Sequence, residues 1–308
     1  MEILRGFDID IKNSAVSLGK FDGIHRGHRL LLKEIKSRTD LIPTVFTFDV
    51  SAQDRINENV PVSRKLIYSQ QEKEMLLEKL GVDRLVLFPF TEETRMMEPE
   101  EFIEKFLMQK MDAGYICVGE DYRFGRDRQG NVGTLKKYAS KYGYDIKIFH
   151  KLKSSEDIIS STLIRETIEN GEISRANELL GEPYFISGEV VHGKALGRTL
   201  DMPTANIIPD REKVLLRSGV YATVVEIDGK SYKGVTNIGR KPTVGQHEVG
   251  VETCILNFNQ DIYGRDIVVK FIEFIRPEKK FPGIEQLKEQ MEHDKKQAAH
   301  ILSSIKNL

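Results

Sequence analysis

Residues 19–28 read Gly19-Lys20-Phe21-Asp22-Gly23-Ile24-His25-Arg26-Gly27-His28, and the fold of the first half follows from what lies on either side. Before them, Ala15-Val16-Ser17-Leu18 is a short apolar run that reads as a strand. After them, Leu30, Leu31, Leu32 and Ile35 fall among Lys33, Glu34 and Lys36, the pattern of an amphipathic helix. The join holds glycines and two histidines. Glycine lets backbone N–H groups approach a ligand closely, and a helix start offers unpaired N–H groups at the positive end of its dipole. His25 and His28 are three apart and share one face of the first turn. This arrangement suits a polyphosphate. The glycines alone would equally make a tight turn carrying surface histidines.

At 308 residues the chain is long enough for about two domains. A hydrophobic share of 40% beside 30% charged residues is ordinary for a soluble protein with real cores. With a net charge of −1, nothing argues for a nucleic-acid or membrane surface. Cys117 and Cys254 lie far apart in apolar runs, which gives no disulfide framework or zinc spacing and fits a reducing interior. No signal-like apolar core or run of membrane-spanning length is visible, so a cytoplasmic location is expected.

Residues 1–182 alternate strand and helix. Ile42–Phe48 reads as a second strand, Ser63 to Leu80 as a helix stopped by Gly81, and Leu85–Pro89 as a third strand. Pro99 opens a helix from Glu100 to Lys110 with Phe102, Ile103, Phe106 and Leu107 on one side. Tyr115–Val118 and Ile146–Phe149 complete the strands, and two short helices end at Gly171 and Gly181. This order predicts a mostly parallel sheet with helices on both faces, binding ligands beyond the carboxyl ends of its strands. Pro183 marks the expected domain boundary, giving 1–182 and 183–308. Beyond it strand signals dominate, with Asp228-Gly229 as a hairpin turn, and an antiparallel barrel or sandwich is expected. A closing helix from about Ile284 to Ile305 is expected to pack on it.

Two further stretches of the first half carry chemistry. Val118-Gly-Glu-Asp-Tyr-Arg-Phe-Gly125 places Asp121 as an acceptor and Tyr122 and Phe124 as rings able to flank a flat ligand, or simply to fill the core. Ile159-Ser-Ser-Thr-Leu-Ile-Arg165 sets hydroxyls at a helix start with Arg165 one turn inside, a second anion site or an ordinary capped helix. Together with Gly19–His28, these stretches resemble the adenylyltransferase half of the bacterial bifunctional riboflavin kinase/FAD synthetases, itself similar to the wider His-x-Gly-His nucleotidyltransferases.

That resemblance implies a Rossmann-like nucleotidyltransferase domain that joins FMN and ATP into FAD. It implies that His25, His28 and Arg165 are catalytic and that Gly19, Phe21, Asp22, Gly23, Gly27, Ser161 and Thr162 bind ATP. It also implies that Asp121, Tyr122 and Phe124 hold the flavin. Similar proteins carry Thr-Phe-Asp-Pro and a second proline after strand two, whereas this chain has Thr47-Phe48-Asp49-Val50-Ser51-Ala52.

In the second half, Gly188–Gly193, Gly197-Arg198 and Pro203-Thr-Ala-Asn206 cluster glycines with a hydroxyl and an amide carbonyl, hard oxygen donors suited to Mg²⁺. Glu252 lies in a strand-like run and reads from spacing as an outward-facing carboxylate. With Gly219-Val-Tyr221, Asn237–Thr243, Asp261–Gly264 and the region of Phe281, these residues resemble the riboflavin kinase module over nearly all of 184–308. The resemblance implies a six-stranded antiparallel flavin-kinase barrel with a terminal helix. It implies ATP binding by Gly193, Gly197 and Arg198, metal binding by Thr204 and Asn206, flavin binding by Asn237, and Glu252 as the base. Asp201 stands where glycine is common in the family, and Cys254 where histidine is frequent.

The leading expectation is therefore a bifunctional enzyme using riboflavin, FMN, ATP and Mg²⁺, with no nucleic-acid or membrane partner and an open oligomeric state. A kinase with an impaired adenylyltransferase half and a non-catalytic flavin-binding regulator are the alternatives. Retention of Thr204 and Glu252 argues against the regulator.

Overall fold

The computed structural model of the protein describes residues 1–49, 65–155, 157–192, 202–240 and 249–303. Packing divides the chain into two units, Met1–Lys65 with Gln70–Ser161 and Leu66–Ser69 with Thr162–Leu308.

The first unit is built on strands β1 (Glu2–Arg5), β2 (Ser14–Leu18), β3 (Ile42–Asp49), β4 (Arg84–Pro89), β5 (Ala113–Gly119) and β6 (Asp145–Phe149). They form one parallel sheet in the order β1-β4-β3-β2-β5-β6. β2 is buried along its whole length, as a central parallel strand covered on both faces must be. The order reverses direction at β2, because β3 lies on one side of it and β5 on the other. Such a reversal opens a crevice at the carboxyl ends of the strands. The 19–28 turn and the loop after Gly119 both leave from that crevice.

Helix α1 (Arg26–Lys36) follows the turn and buries Leu31, Leu32 and Ile35. Helices α2 (Gln70–Lys79) and α3 (Val132–Tyr142) cover other parts of the unit. The helix expected over 100–110 is a turn at Pro99–Glu101 followed by a wide π-helix, Phe102–Lys110. Its closing bond runs from Met111 N–H to the Phe106 carbonyl at 2.9 Å, five residues back. Phe102, Phe106 and Met111 are all buried, and a wide turn keeps apolar residues spaced by four and five on one face. α2 starts at Gln70; Leu66–Ser69, inside the span expected to be helical, is not helix, and Ser63 and Arg64 lie outside the described residues. β1 carries no strong strand signal in the sequence.

The second unit begins with α4 (Ser161–Asn170), whose first residue belongs to the first unit, and α5 (Ile173–Leu180). Strands β7 (Phe185–Glu189), β8 (Ala205–Ile207), β9 (Gly219–Ile227), β10 (Lys230–Arg240), β11 (Val249–Ile255) and β12 (Asp266–Arg276) follow. They run antiparallel in the order β8-β11-β10-β9-β12-β7. A bridge between Val191 and Asn206 ties the last strand's extension back to the first, nearly closing a six-stranded barrel. Asp228 and Gly229 both have positive φ, 48° and 75°, which a two-residue hairpin of matching twist requires. Thr223, Thr236 and Thr253 are fully buried and satisfy one another, their hydroxyls 2.8 and 2.9 Å apart. Helix α6 (Ile284–Ser303) lays Ala298 and Leu302 on Ala222 and Val224 of β9.

Candidate functional site

In the first unit the site is the strained turn between β2 and α1. Phe21, Gly23 and Ile24 all have positive φ (50°, 85° and 41°). Only the glycine is at ease there, and the other two each cost on the order of 1–3 kcal/mol, which the surroundings must hold in place. The surroundings do so. The Lys20 carbonyl accepts from Thr47 Oγ1 at 3.2 Å and from Lys73 Nζ at 3.5 Å, and the Ile24 carbonyl accepts from Arg29 Nε at 3.2 Å. Phe21 is wholly buried.

His25 is the N-cap of α1, with its ring nitrogen Nδ1 accepting the His28 N–H at 3.4 Å. Serine, threonine, aspartate and asparagine usually take that position. The His25 and His28 rings stack with centroids 3.8 Å apart and planes 20° from parallel. A Cβ on Gly27 would lie 3.1 Å from the His25 ring, so this glycine makes room for a side chain as well as for backbone approach. Burial pushes the His25 imidazole down to about 4, and burial beside His25 and Lys73 pushes His28 well below its ordinary value. Both rings are therefore neutral near pH 7. The His28 Nδ1 atom is buried with no hydrogen-bond partner among the described residues.

Asp121 lies within electrostatic reach of His25 and pairs with Lys151 at 2.9 Å, so the loop after β5 and the turn after β2 share the crevice. Tyr122 and Phe124 stack on each other at 5.7 Å, and Phe124 is buried against Phe102. The two rings make one aromatic wall rather than two sides of a slot. Ser161 Oγ donates to the Asp22 carbonyl at 2.8 Å, joining the second hydroxyl-rich stretch to the turn. Thr162 and Arg165 lie on α4 in the second unit.

In the second unit the register of three strands assembles the expected residues. Asn206 of β8 pairs with Glu252 of β11, which pairs on its other side with Asn237 of β10. Directly opposed residues point to the same face, so one row carries both amides and the carboxylate. A cavity of about 220 Å³ lies over that face, between the barrel and α6. Thr204, Asn237, Glu252 and Cys254 line it from the barrel, and Leu287, Met291 and Lys295 from the helix. Thr204 also lines a second cavity of about 240 Å³ with Asn259, Asp261 and Tyr263. Asn206 Nδ2 donates to the Thr204 carbonyl at 3.3 Å, which turns its Oδ1 the other way. Gly193, Gly197, Arg198, Asp201 and the 50–52 departure lie outside the described residues.

The sequence matches the FAD synthetase family over residues 8–163 and the riboflavin kinase family over residues 180–302. It is 33% identical over 299 residues to the bifunctional riboflavin kinase/FMN adenylyltransferase of Listeria monocytogenes, covering 96% of this chain and 94% of that one. The protein of the same description from Haemophilus influenzae is 32% identical over 312 residues, covering 99% and 100%. The chain belongs to the bifunctional riboflavin kinase/FMN adenylyltransferase family. A crystal structure named as a macrolide-efflux protein from Streptococcus pneumoniae is also similar, with a TM-score of 0.85 and 32% identity over 96% of this chain and 98% of that one. Its name describes that protein. No helix among the described residues here is long and apolar enough to cross a membrane.

Within this riboflavin kinase/FMN adenylyltransferase chain, sequence reasoning missed two features of the sites. Lys73 is 1% exposed beside the turn, although its helix reads as a charged surface helix. Arg276 and Asp294 clamp the end of β12 to α6 at the cavity wall, with Nε and Nη2 at 2.9 and 2.6 Å from the carboxylate. The only sequence signal for that clamp is an arginine ending a strand and an aspartate on the helix's inward face.

Proposed function

We propose that the chain makes FMN from riboflavin in its 183–308 portion and FAD from FMN in its 1–182 portion, using ATP for both steps. Phosphorylation of riboflavin and adenylylation of FMN with release of pyrophosphate are the two activities of the family. The observation that carries the kinase half is the row Asn206–Glu252–Asn237, of which Glu252 and Asn237 line a cavity of about 220 Å³.

In the kinase half, riboflavin occupies the cavity under α6, oriented by Asn237. Glu252 takes the proton of the ribityl 5′-hydroxyl as its oxygen attacks the γ-phosphorus of ATP. The second cavity holds ATP, and Thr204, common to both walls, stands where the phosphoryl group crosses. The family's ATP chemistry fits a divalent metal. Thr204 and Asn206 offer neutral hard oxygens, a donor set that fits Mg²⁺ when phosphates supply most of the charge. Mg²⁺ bound there would offset negative charge on the phosphate oxygens.

In the adenylyltransferase half, a phosphate oxygen of FMN attacks the α-phosphorus of ATP, and the bond to the α,β-bridging oxygen breaks. No covalent intermediate on the protein is needed, so the work is positioning and charge stabilisation. The neutral His25 and His28 act as hydrogen-bond donors held rigid by their stack. Ser161 and Thr162 at the start of α4, with Arg165, hold the triphosphate. Asp121 and the Tyr122–Phe124 wall hold the flavin.

Incubation with riboflavin, ATP and Mg²⁺, followed by chromatography of the flavins, tests both halves. FMN and then FAD should accumulate. FMN that never proceeds to FAD would sink the adenylyltransferase assignment, and unchanged riboflavin would sink the kinase assignment.

A further inference from the structure

The stacked histidines leave the phosphate site without a fixed positive charge of their own. Both rings are buried and neutral. A departing pyrophosphate gains negative charge on its bridging oxygen, and an uncompensated charge in a crevice is costly. Beyond the Arg165 proposed to hold the triphosphate, a cation beside the turn would offset that charge.

Lys73 has that position. It lies on the inward face of α2 with Leu76 and Leu77 and is 1% exposed. Its Nζ touches the Lys20 carbonyl inside the 19–28 turn at 3.5 Å, a long bond and its one hydrogen bond among the described residues. An ammonium has three donors. The charged and titratable groups in reach are His28, Asp22 at the turn, Asp49 at the end of β3, and Glu74 beside it on α2. Burial pulls this ammonium's pKa down, and the three carboxylates act against that pull. Burying a lysine without a strong paired bond is expensive, and His28, one of the groups in its reach, has a buried Nδ1 with no hydrogen-bond partner among the described residues.

We infer that Lys73 is a second built-in cation of the adenylyl-transfer site, beside the proposed Arg165, recognising the β- and γ-phosphates of ATP and the pyrophosphate they become. The inference rests on the proposed FMN adenylyltransferase activity. As the α-phosphorus bond to the bridging oxygen breaks, the electron pair passes to that oxygen, and the Lys73 ammonium offsets the charge without giving up a proton.

The test uses the full chain and keeps the two activities apart. FAD formation by the native protein from supplied FMN checks the underlying activity by itself; if it is absent, that reading fails first. Lys73→Met preserves the stem's packing and removes the charge. Its kcat for FAD formation should fall about 100-fold, and product inhibition by pyrophosphate should weaken at least tenfold. The KM for FMN and the rate of FMN formation from riboflavin should stay within twofold. Lys73→Arg keeps a charge in a slightly different place, so pyrophosphate inhibition should survive even where kcat drops. Unchanged kcat and pyrophosphate inhibition in Lys73→Met would reduce the lysine to a counter-ion for Asp22 and Asp49 and overturn the inference. So would a loss spread equally over FMN and pyrophosphate. If Lys73→Met does not fold, Lys73→Arg decides alone, since loss of pyrophosphate inhibition with an intact kinase rate would also overturn it.

Discussion

The Nδ1 atom of His25 caps helix α1 by accepting the N–H of His28, and the same two side chains stack ring on ring at 3.8 Å. One residue thus closes the helix, supports its neighbour and belongs to the proposed phosphate site. Protonation of His25 would remove the acceptor from the cap and set a positive ring against a buried one.

Stability of the first unit should therefore fall on the acid side in a defined window. Unfolded His25 takes up its proton near pH 6.5, whereas the folded residue does so only near pH 4. Between those values the unfolded chain holds more protons, so this contribution is complete above pH 6.5 and is lost as pH falls toward 4. It amounts to on the order of 3 kcal/mol. Denaturant unfolding at pH 7.5, 5.5 and 4.5 should show the loss. His25→Asn, which keeps a capping acceptor but cannot titrate, should flatten that slope. An equal slope in the variant would assign the effect elsewhere.

Gly27→Ala separates stability from activity. Alanine favours helix over glycine by roughly 0.5–1 kcal/mol, so α1 itself should gain. The new Cβ would press on the His25 ring from 3.1 Å and tilt it out of the stack. FAD formation should drop at least tenfold with the thermal midpoint unchanged or raised and FMN formation untouched. A fully active variant would show that the ring geometry is not needed.

Glu252→Gln keeps the shape of the row between Asn206 and Asn237 and removes the proton acceptor. FMN formation should fall by about 100-fold or more. Adenylylation of supplied FMN should continue at the native rate. A variant that phosphorylates riboflavin normally would return Glu252 to the role of an ordinary strand carboxylate.

The Arg276–Asp294 clamp should be costly to break and cheap to replace. Asp294 is buried, and Gln290 also donates to it at 2.9 Å. Asp294→Ala leaves the guanidinium without its partner and should destabilise the second unit by about 3 kcal/mol. Replacing both with apolar residues, Arg276→Met with Asp294→Leu, should restore most of that loss. Riboflavin KM should rise in both variants, because the clamp sets where α6 stands over the cavity. A riboflavin KM unchanged in both would confine the clamp to stability.

What the sequence disclosed depended on whether the signal was local. The 19–28 turn, its strand and its helix were legible from one continuous stretch, residues 15–36, and the Asp228-Gly229 hairpin from two residues. Glu252 could be placed on a strand. Its alignment with Asn206 and Asn237 needed the pairing register, which joins it to residues 46 and 15 positions away. Lys73 is hidden because half of Gln70–Lys79 is charged and its apolar residues, Met75, Leu76 and Leu77, are consecutive and draw no helical stripe. Only its distance from the turn, more than forty residues away in sequence, gives it meaning. The cavity under α6 was invisible for the same reason, since helix and barrel contribute to it from opposite ends of the unit.

Leu66–Ser69 has a practical consequence for anyone wishing to separate the two activities. This short segment belongs to the second unit although both its flanks belong to the first. Within the second unit, Lys213 donates to the Ile67 carbonyl at 3.0 Å, and its ammonium is enclosed by the rings of Tyr68, Tyr184 and Phe185 at 4.6, 4.6 and 5.7 Å. A gene fragment beginning at residue 183 would keep the lysine and two of the rings but lose Tyr68 and the carbonyl. The kinase half is thus stitched by four residues inherited from far upstream, and genetic dissection at the obvious boundary would strand a buried charge.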